Sequence, residues 1–127
     1  MTLGEAIDAV EETYEFMLAY AAQGRRQEDN DTTGGIRASL KKADAGLAVI
    51  AGAVVSGTEA GVFLDIVRED ATKASAAVRL VLAQPSIGSQ LIDNLNASIH
   101  LRALLTDLFL VGEVLRSQSK AVVNSAE

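Results

Sequence analysis

The chain contains a single histidine, His100, and no cysteine. Imidazole changes charge near neutral pH and serves as general base, metal ligand or phosphate carrier, so His100 is the one weak candidate for a catalytic residue. A di-metal site in a helical bundle needs inward glutamates and Glu-x-x-His pairs. Here the residue three before His100 is Ala97, and residues 36–56 contain no glutamate. A haem iron would need an axial ligand from His100, Met17 or Tyr14, none of them set in a recognisable motif. The lack of cysteine removes thiolate nucleophiles, thiolate metal sites and disulfides. No metal and no cofactor is expected.

Proton transfer near neutrality needs a carboxylate or histidine whose environment shifts its proton affinity. Asp65, Asp70, Asp93 and Asp107 lie in or beside apolar runs. Asp107 falls inside the segment LLTDLFLVGEVL, next to Thr106, and Asp70 aligns with the apolar side of its helix between Arg68 and Lys73. Each is read as a surface carboxylate or as a polar contact that sets helix register. No spacing among them makes a catalytic pair. Arg37 and Lys41 are four apart, and with Arg79 and Arg102 they would form an anion site only if packing brought them together. The loop NDTTGG offers amides and hydroxyls at a helix start but lacks the glycine and lysine pattern of a phosphate loop. Asn30–Asp31–Thr32 and Asn96–Ala97–Ser98 match the glycosylation rule by composition alone.

The segment ASIHLRALL, with His100 followed by Arg102, resembles the exposed histidine and basic neighbour of helical phosphotransfer domains. Such domains carry a lysine–glycine pair after the histidine, which is absent here. The glutamate and following proline of dimerising kinase domains are absent as well.

These residues must be positioned by helices. Apolar residues make up 49% of the chain but aromatics only 4%, and Pro85 is the only proline. A chain so poorly supplied with breakers and so rich in alanine and aliphatics reads as all-α, and 127 residues suit one domain. The first helix is expected from Thr2 to Gln23, started by a Thr2–Glu5 capping box and ended by Gly24, with Ile7, Val10, Tyr14, Met17, Leu18 and Ala21 inward. The second is expected from Ile36 to Ser56, capped by Thr32 or Thr33. Its residues Ile36, Leu40, Ala43, Leu47, Ile50 and Val54 follow heptad spacing, and Gly46 and Gly52 permit close packing at about 1 kcal/mol of propensity each. The third runs from Thr58 to Ala83, with Val62, Phe63, Ile66, Val67, Ala74, Ala77, Val78 and Val81 buried. The fourth starts at a Ser86 cap after Gln84–Pro85 and continues to Gln118. Short joints then give an antiparallel four-helix bundle, up-down-up-down, over residues 1–118, with 119–127 as a frayed tail.

Charge is segregated along this chain. Residues 1–31 carry eight acids and two bases, the whole of the net −6, while the remainder carries nine of each sign. Such a chain repels phosphate, so neither nucleic acid nor an anionic membrane is an expected partner. The start lacks a basic n-region, and the longest apolar stretch, Ala45–Val55, has eleven residues, too short for a bilayer. A cytoplasmic protein is expected.

With no catalytic constellation, the residues read as a non-enzymatic interaction module: an adaptor, accessory factor or small regulator. Its partner surface is the acidic first helix and following loop, with Asp8, Glu11, Glu12, Glu15, Arg25 and Arg26, facing another protein with a basic surface. The fourth helix is apolar over more of its circumference than one core face requires. Leu104, Leu108, Val111 and Leu115 are its candidate self-association residues in a homodimer. Two alternatives stay open: a ligand or cofactor sensor with an interhelical pocket near Phe63, Leu105 and Phe109, and a histidine phosphotransfer protein or small bundle enzyme.

Overall fold

The computed structural model describes residues 1–28, 35–53 and 58–125; for residues 58, 60 and 115–125 it describes the backbone alone. The elements are α1 (Leu3–Ala22), α2 (Ile36–Ala51), α3 (Thr58–Leu82), α4 (Ser89–Ala97) and α5 (Ile99–Ser125). Among the described residues the fold is an all-α bundle of five helices, which corrects the expected four-helix bundle. The single fourth helix is in fact two, separated by Ser98, whose backbone at φ −59°, ψ 127° leaves the helical region. Ser98 closes α4 with its amide, bonded to the Leu95 carbonyl, and opens α5 with its carbonyl, which accepts from the Arg102 amide at 3.0 Å. Serine and the preceding asparagines compete with helical bonding locally, and the break lets each half meet a different neighbour. α4 packs chiefly on α1, whereas α5 packs chiefly on α3.

The helices form a ring in which α2 joins α1 to α3, the α4–α5 pair joins α3 back to α1, and α1 and α3 lie on the diagonal, with no close backbone approach among the described residues. α1 and α2 run antiparallel. The Thr13 hydroxyl donates to the Ser39 carbonyl at 3.1 Å, and further down Gly46 lies against Ala6. A β-carbon on Gly46 would stand 2.9 Å from the Ala6 carbonyl oxygen, so this crossing is closed around the missing side chain. α2 and α3 are antiparallel as well, tied by Ser75 Oγ donating to Asp44 Oδ1 at 2.7 Å and by Arg79 with Asp44 at 3.2 Å. α4 starts where α1 ends, and Gly112 of α5 lies beside Ile7 near the start of α1. α5 therefore runs opposite to both α1 and α3.

Local chemistry explains most helix limits. The Thr2–Glu5 capping box is present, with the Thr2 hydroxyl accepting from the Glu5 amide at 3.1 Å. Gln23 caps α1, and Gly24 follows it at φ 65°, a left-handed value that suits glycine. α2 ends at Ala51 with Gly52 as its cap, short of the expected Ser56. Its N-cap is Gly35. Thr32, Thr33, Val54, Ser56 and Gly57 lie outside the described residues. α4 is capped by Gly88 and not by Ser86, whose hydroxyl accepts from the Glu28 amide instead. α5 extends to Ser125, over much of the segment expected to be a tail.

The core contains Ile7, Val10, Met17 and Tyr20 of α1, the heptad residues Ile36, Leu40, Ala43, Leu47 and Ile50 of α2, and Leu101, Leu104, Leu105, Leu108 and Val111 of α5. The buried side of α3 is Leu64, Val67, Ala71, Ala74, Val78 and Val81. Val62 and Ile66, expected inside, face outward, as does Leu18 of α1. No helix among the described residues is long and apolar enough to cross a membrane.

Candidate functional site at the seam of α3 and α5

Asp70 sits at mid-length of α3 and Asp107 about one third of the way along α5, the two longest helices among the described residues. On α3, Asp70 precedes the buried Ala71 and lies three residues after the buried Val67. On α5, Asp107 is surrounded at helical spacing by the buried Leu104, Leu108 and Val111. Helical pitch thus puts each carboxylate at the margin of an apolar face, and packing of α5 on α3 sets the margins together. The two carboxyl groups lie within hydrogen-bonding reach of one another. Asp107 Oδ2 is buried and accepts from no donor among the described residues. Burial, then the hydrogen bond to Asp70 and its negative charge, push the Asp107 carboxyl up to about 7. A carboxyl with that affinity exchanges its proton around neutral pH, roughly half occupied there. Each residue was visible in the sequence as an acid in an apolar run. Their pairing was not, because it depends on the crossing of two helices distant in the chain.

The surface beside this pair is apolar. Of the ten large hydrophobic side chains exposed among the described residues, seven lie on α3 and α5: Val62, Ile66, Leu80, Ile99, Phe109, Leu110 and Val114. Because α3 and α5 are antiparallel, Val62 and Ile66, before Asp70, lie at the level of Leu110 and Val114, after Asp107. Leu110 is 64% and Val62 67% exposed. Glu59, Glu69 and Glu113, all exposed, fall around these four. Arg68, the nearest described base, is turned back to Asp65 and donates to the Ala53 carbonyl at 3.1 Å.

The residues proposed from sequence for self-association are placed differently. Leu104, Leu108 and Val111 are buried in the core of the single chain, and the side chain of Leu115 lies outside the described residues. An apolar contact with another molecule would use the opposite side of α5. On α1, Asp8, Glu12 and Glu15 are exposed and Glu11 is half-buried; Glu12 meets Lys42 of α2 at 3.2 Å. Arg25 lies with its guanidinium 5.8 Å from the Tyr20 ring centre, and its Nε donates to Gln23 at 2.5 Å. Arg26 is exposed. Arg25 and Arg26 border an open cleft of about 610 Å³ where α1 ends and α4 begins, with Ser89 and Asp93 opposite. Of the residues expected to line an interhelical pocket, Leu105 is buried, Phe63 half-buried and Phe109 63% exposed.

The basic residues do not converge. Arg37 holds Glu28 through Nη2 at 2.6 Å and Nε at 3.2 Å, and donates to the Leu82 and Gln84 carbonyls at 2.7 and 2.9 Å. It caps the end of α3, while Glu28 Oε1 also accepts from the Ile87 amide at 3.1 Å. The Arg37 hydrogen bond holds the Glu28 carboxyl below its ordinary value, against a smaller opposing effect of burial. Beside this cap, Tyr20 Oη donates to the Ile87 carbonyl at 2.6 Å and Ser89 Oγ donates to the Tyr20 carbonyl at 2.7 Å. Arg79 is engaged by Asp44, and Arg102 is exposed on α5.

His100 lies exposed in the first turn of α5. Asn96 has both amide atoms buried, so its triplet is not presented at the surface; the triplet at Asn30 lies outside the described residues. Among the described residues, no group of three or more histidine, aspartate or glutamate side chains could hold a metal ion. No family model, curated protein or solved structure matches the chain.

Proposed function

We propose that the chain is a non-enzymatic protein-interaction module of the cytoplasm, docking a partner protein on the outer face of α3 and α5. What carries this reading is the exposure of Val62, Ile66, Leu110 and Val114, which the antiparallel packing of α3 on α5 brings to one level of the bundle. Scattered apolar side chains on a surface are ordinary, but a contiguous group with a polar border is the usual form of a contact site. The border here is acidic, through Glu59, Glu69 and Glu113, so the occupant that fits is a protein ridge of apolar side chains rimmed by lysine or arginine. The acidic α1 lies elsewhere on the ring and contributes at longer range, raising the encounter rate more than the affinity.

The test is native mass spectrometry of the protein isolated gently from its own cells, wild type beside Leu110→Glu and Ile66→Glu. A stoichiometric partner kept by the wild type and lost by both variants supports the reading. The same partner should associate more slowly with the triple reversal of Glu11, Glu12 and Glu15 to lysine, most visibly at low salt. A partner unaffected by either apolar substitution would reject this face as the docking site. A homodimer without other protein would assign the face to a second copy, and retained small-molecule mass would favour a ligand sensor.

A further inference from the structure

We propose that Asp70 and Asp107 form a one-proton latch between α3 and α5, closed while a proton lies between the two carboxyl groups and loosened when it leaves. Asp107 Oδ2 is buried at the packed margin of α5, and no donor among the described residues reaches it. With both groups ionised, two acceptors of like charge face each other at the packed margin of two helices, and neither can satisfy the other. One added proton turns the same contact into an O–H···O hydrogen bond. The atoms balance without any further group: the proton comes from solvent and returns to it.

Neighbouring charge does not relieve the pair. On α5, no ionisable residue other than Asp107 lies between Arg102 and Glu113, and both of these are exposed. On α3, Glu69 and Lys73 flank Asp70 and are also exposed. α1 brings Asp8 and Glu11 to the level of Ile7, and α4 carries the exposed Asp93. Of all these groups, Asp70 alone acts on the proton affinity of Asp107, and it acts in the same direction as burial.

The sign follows from linkage. The closed state binds the proton more tightly than an opened state with an ordinary carboxyl near pH 4, and its midpoint is about 7. Between these limits, opening becomes more favourable by up to about tenfold per pH unit as pH rises, and it levels off above the closed-state midpoint. Opening α5 would uncover Leu104, Leu108 and Val111, its inward face. This inference does not rest on the proposed docking function, and its test needs no partner.

The experiment is a carboxyl carbon NMR titration of the intact labelled chain, with amide hydrogen exchange along α5 between pH 5 and 8.5. A near-neutral Asp107 midpoint is expected, together with protection of α5 that falls beyond the intrinsic pH effect up to about pH 7 and then holds. Asp107→Asn, which keeps the shape and removes the charge, should abolish this extra dependence. A midpoint near the ordinary value of about 4, or unchanged pH dependence in Asp107→Asn, would overturn the latch. If that variant does not fold, Asp70→Asn serves instead: the Asp107 midpoint should fall, and an unchanged midpoint would count against the pair.

Discussion

The seams of α1 with α2 and of α3 with α5 are both antiparallel helix crossings, yet they are closed in opposite ways. The first is closely packed and paired. Gly46 admits the α1 backbone to close range, the Thr13 hydroxyl reaches the Ser39 carbonyl, and oppositely charged Glu12 and Lys42 meet at the rim. The second sets two carboxylates against each other, leaves one oxygen without a donor, and borders an outward apolar surface. Every choice in the first seam agrees with tight packing, and in the second two choices oppose it. Local conflicts of this kind concentrate where a protein binds or moves, which is why the proposed contact face and proton latch both fall on α3 and α5.

The largest effect is expected at Gly46. Gly46→Val should force α1 and α2 apart and cost about 3 kcal/mol of stability, read as a lower urea midpoint with an unchanged slope. A cost below about 1 kcal/mol would mean that the crossing is looser than its geometry implies. Next in size is Arg37→Ala, which removes the guanidinium holding Glu28 and the last carbonyls of α3. It should cost about 2 kcal/mol, since partners are left unpaired in a half-buried site. The Glu28 carboxyl is held low by that hydrogen bond, so its contribution is present above the ordinary carboxylate range and fades as pH falls through the lowered value. The penalty of Arg37→Ala should therefore shrink in acid, a trend that thermal melts at pH 7 and pH 3 would test.

At the other seam the sign reverses. Asp107→Asn should stabilise the chain above pH 7 and change little at pH 5, because the raised affinity of Asp107 favours the protonated native pair and that advantage is lost as pH rises. The gain is about 1 kcal/mol once solvent screening of a half-exposed group is allowed for. Loss of stability at pH 8 would show that the charge is useful to the fold. The smallest effect on folding belongs to Leu110→Glu. At an exposed position it should shift stability by less than about 0.5 kcal/mol, while removing partner binding in the mass-spectrometric comparison. A large stability loss would place Leu110 in the core and remove the basis for the docking face.

Much of the fold could be read locally. The capping box at Thr2 and Glu5, the glycine after α1 and the heptad residues of α2 depend on interactions within one or two turns, and these appear as read. The break at Ser98 could not be read in the same way. Asn-Ala-Ser is tolerated inside helices, and it becomes a break here because α4 follows α1 while α5 follows α3. The inward side of α3 was misread at Val62 and Ile66 for a related reason: apolar spacing marks a stripe, but only the neighbours decide how far around the helix that stripe is covered.

Helix type, the limits of α1 and α3, the start of α2, an aliphatic core and the charge imbalance of residues 1–31 were legible in the sequence alone, all consequences of short-range propensity and composition. Tertiary structure alone decided that Arg37 is a cap and not an anion ligand, that Leu104, Leu108 and Val111 face inward, and that Asp70 meets Asp107. These are contacts between residues far apart in the chain. They are set by the crossing of helices, for which hydrophobic burial supplies the drive without specifying which polar groups are carried into contact.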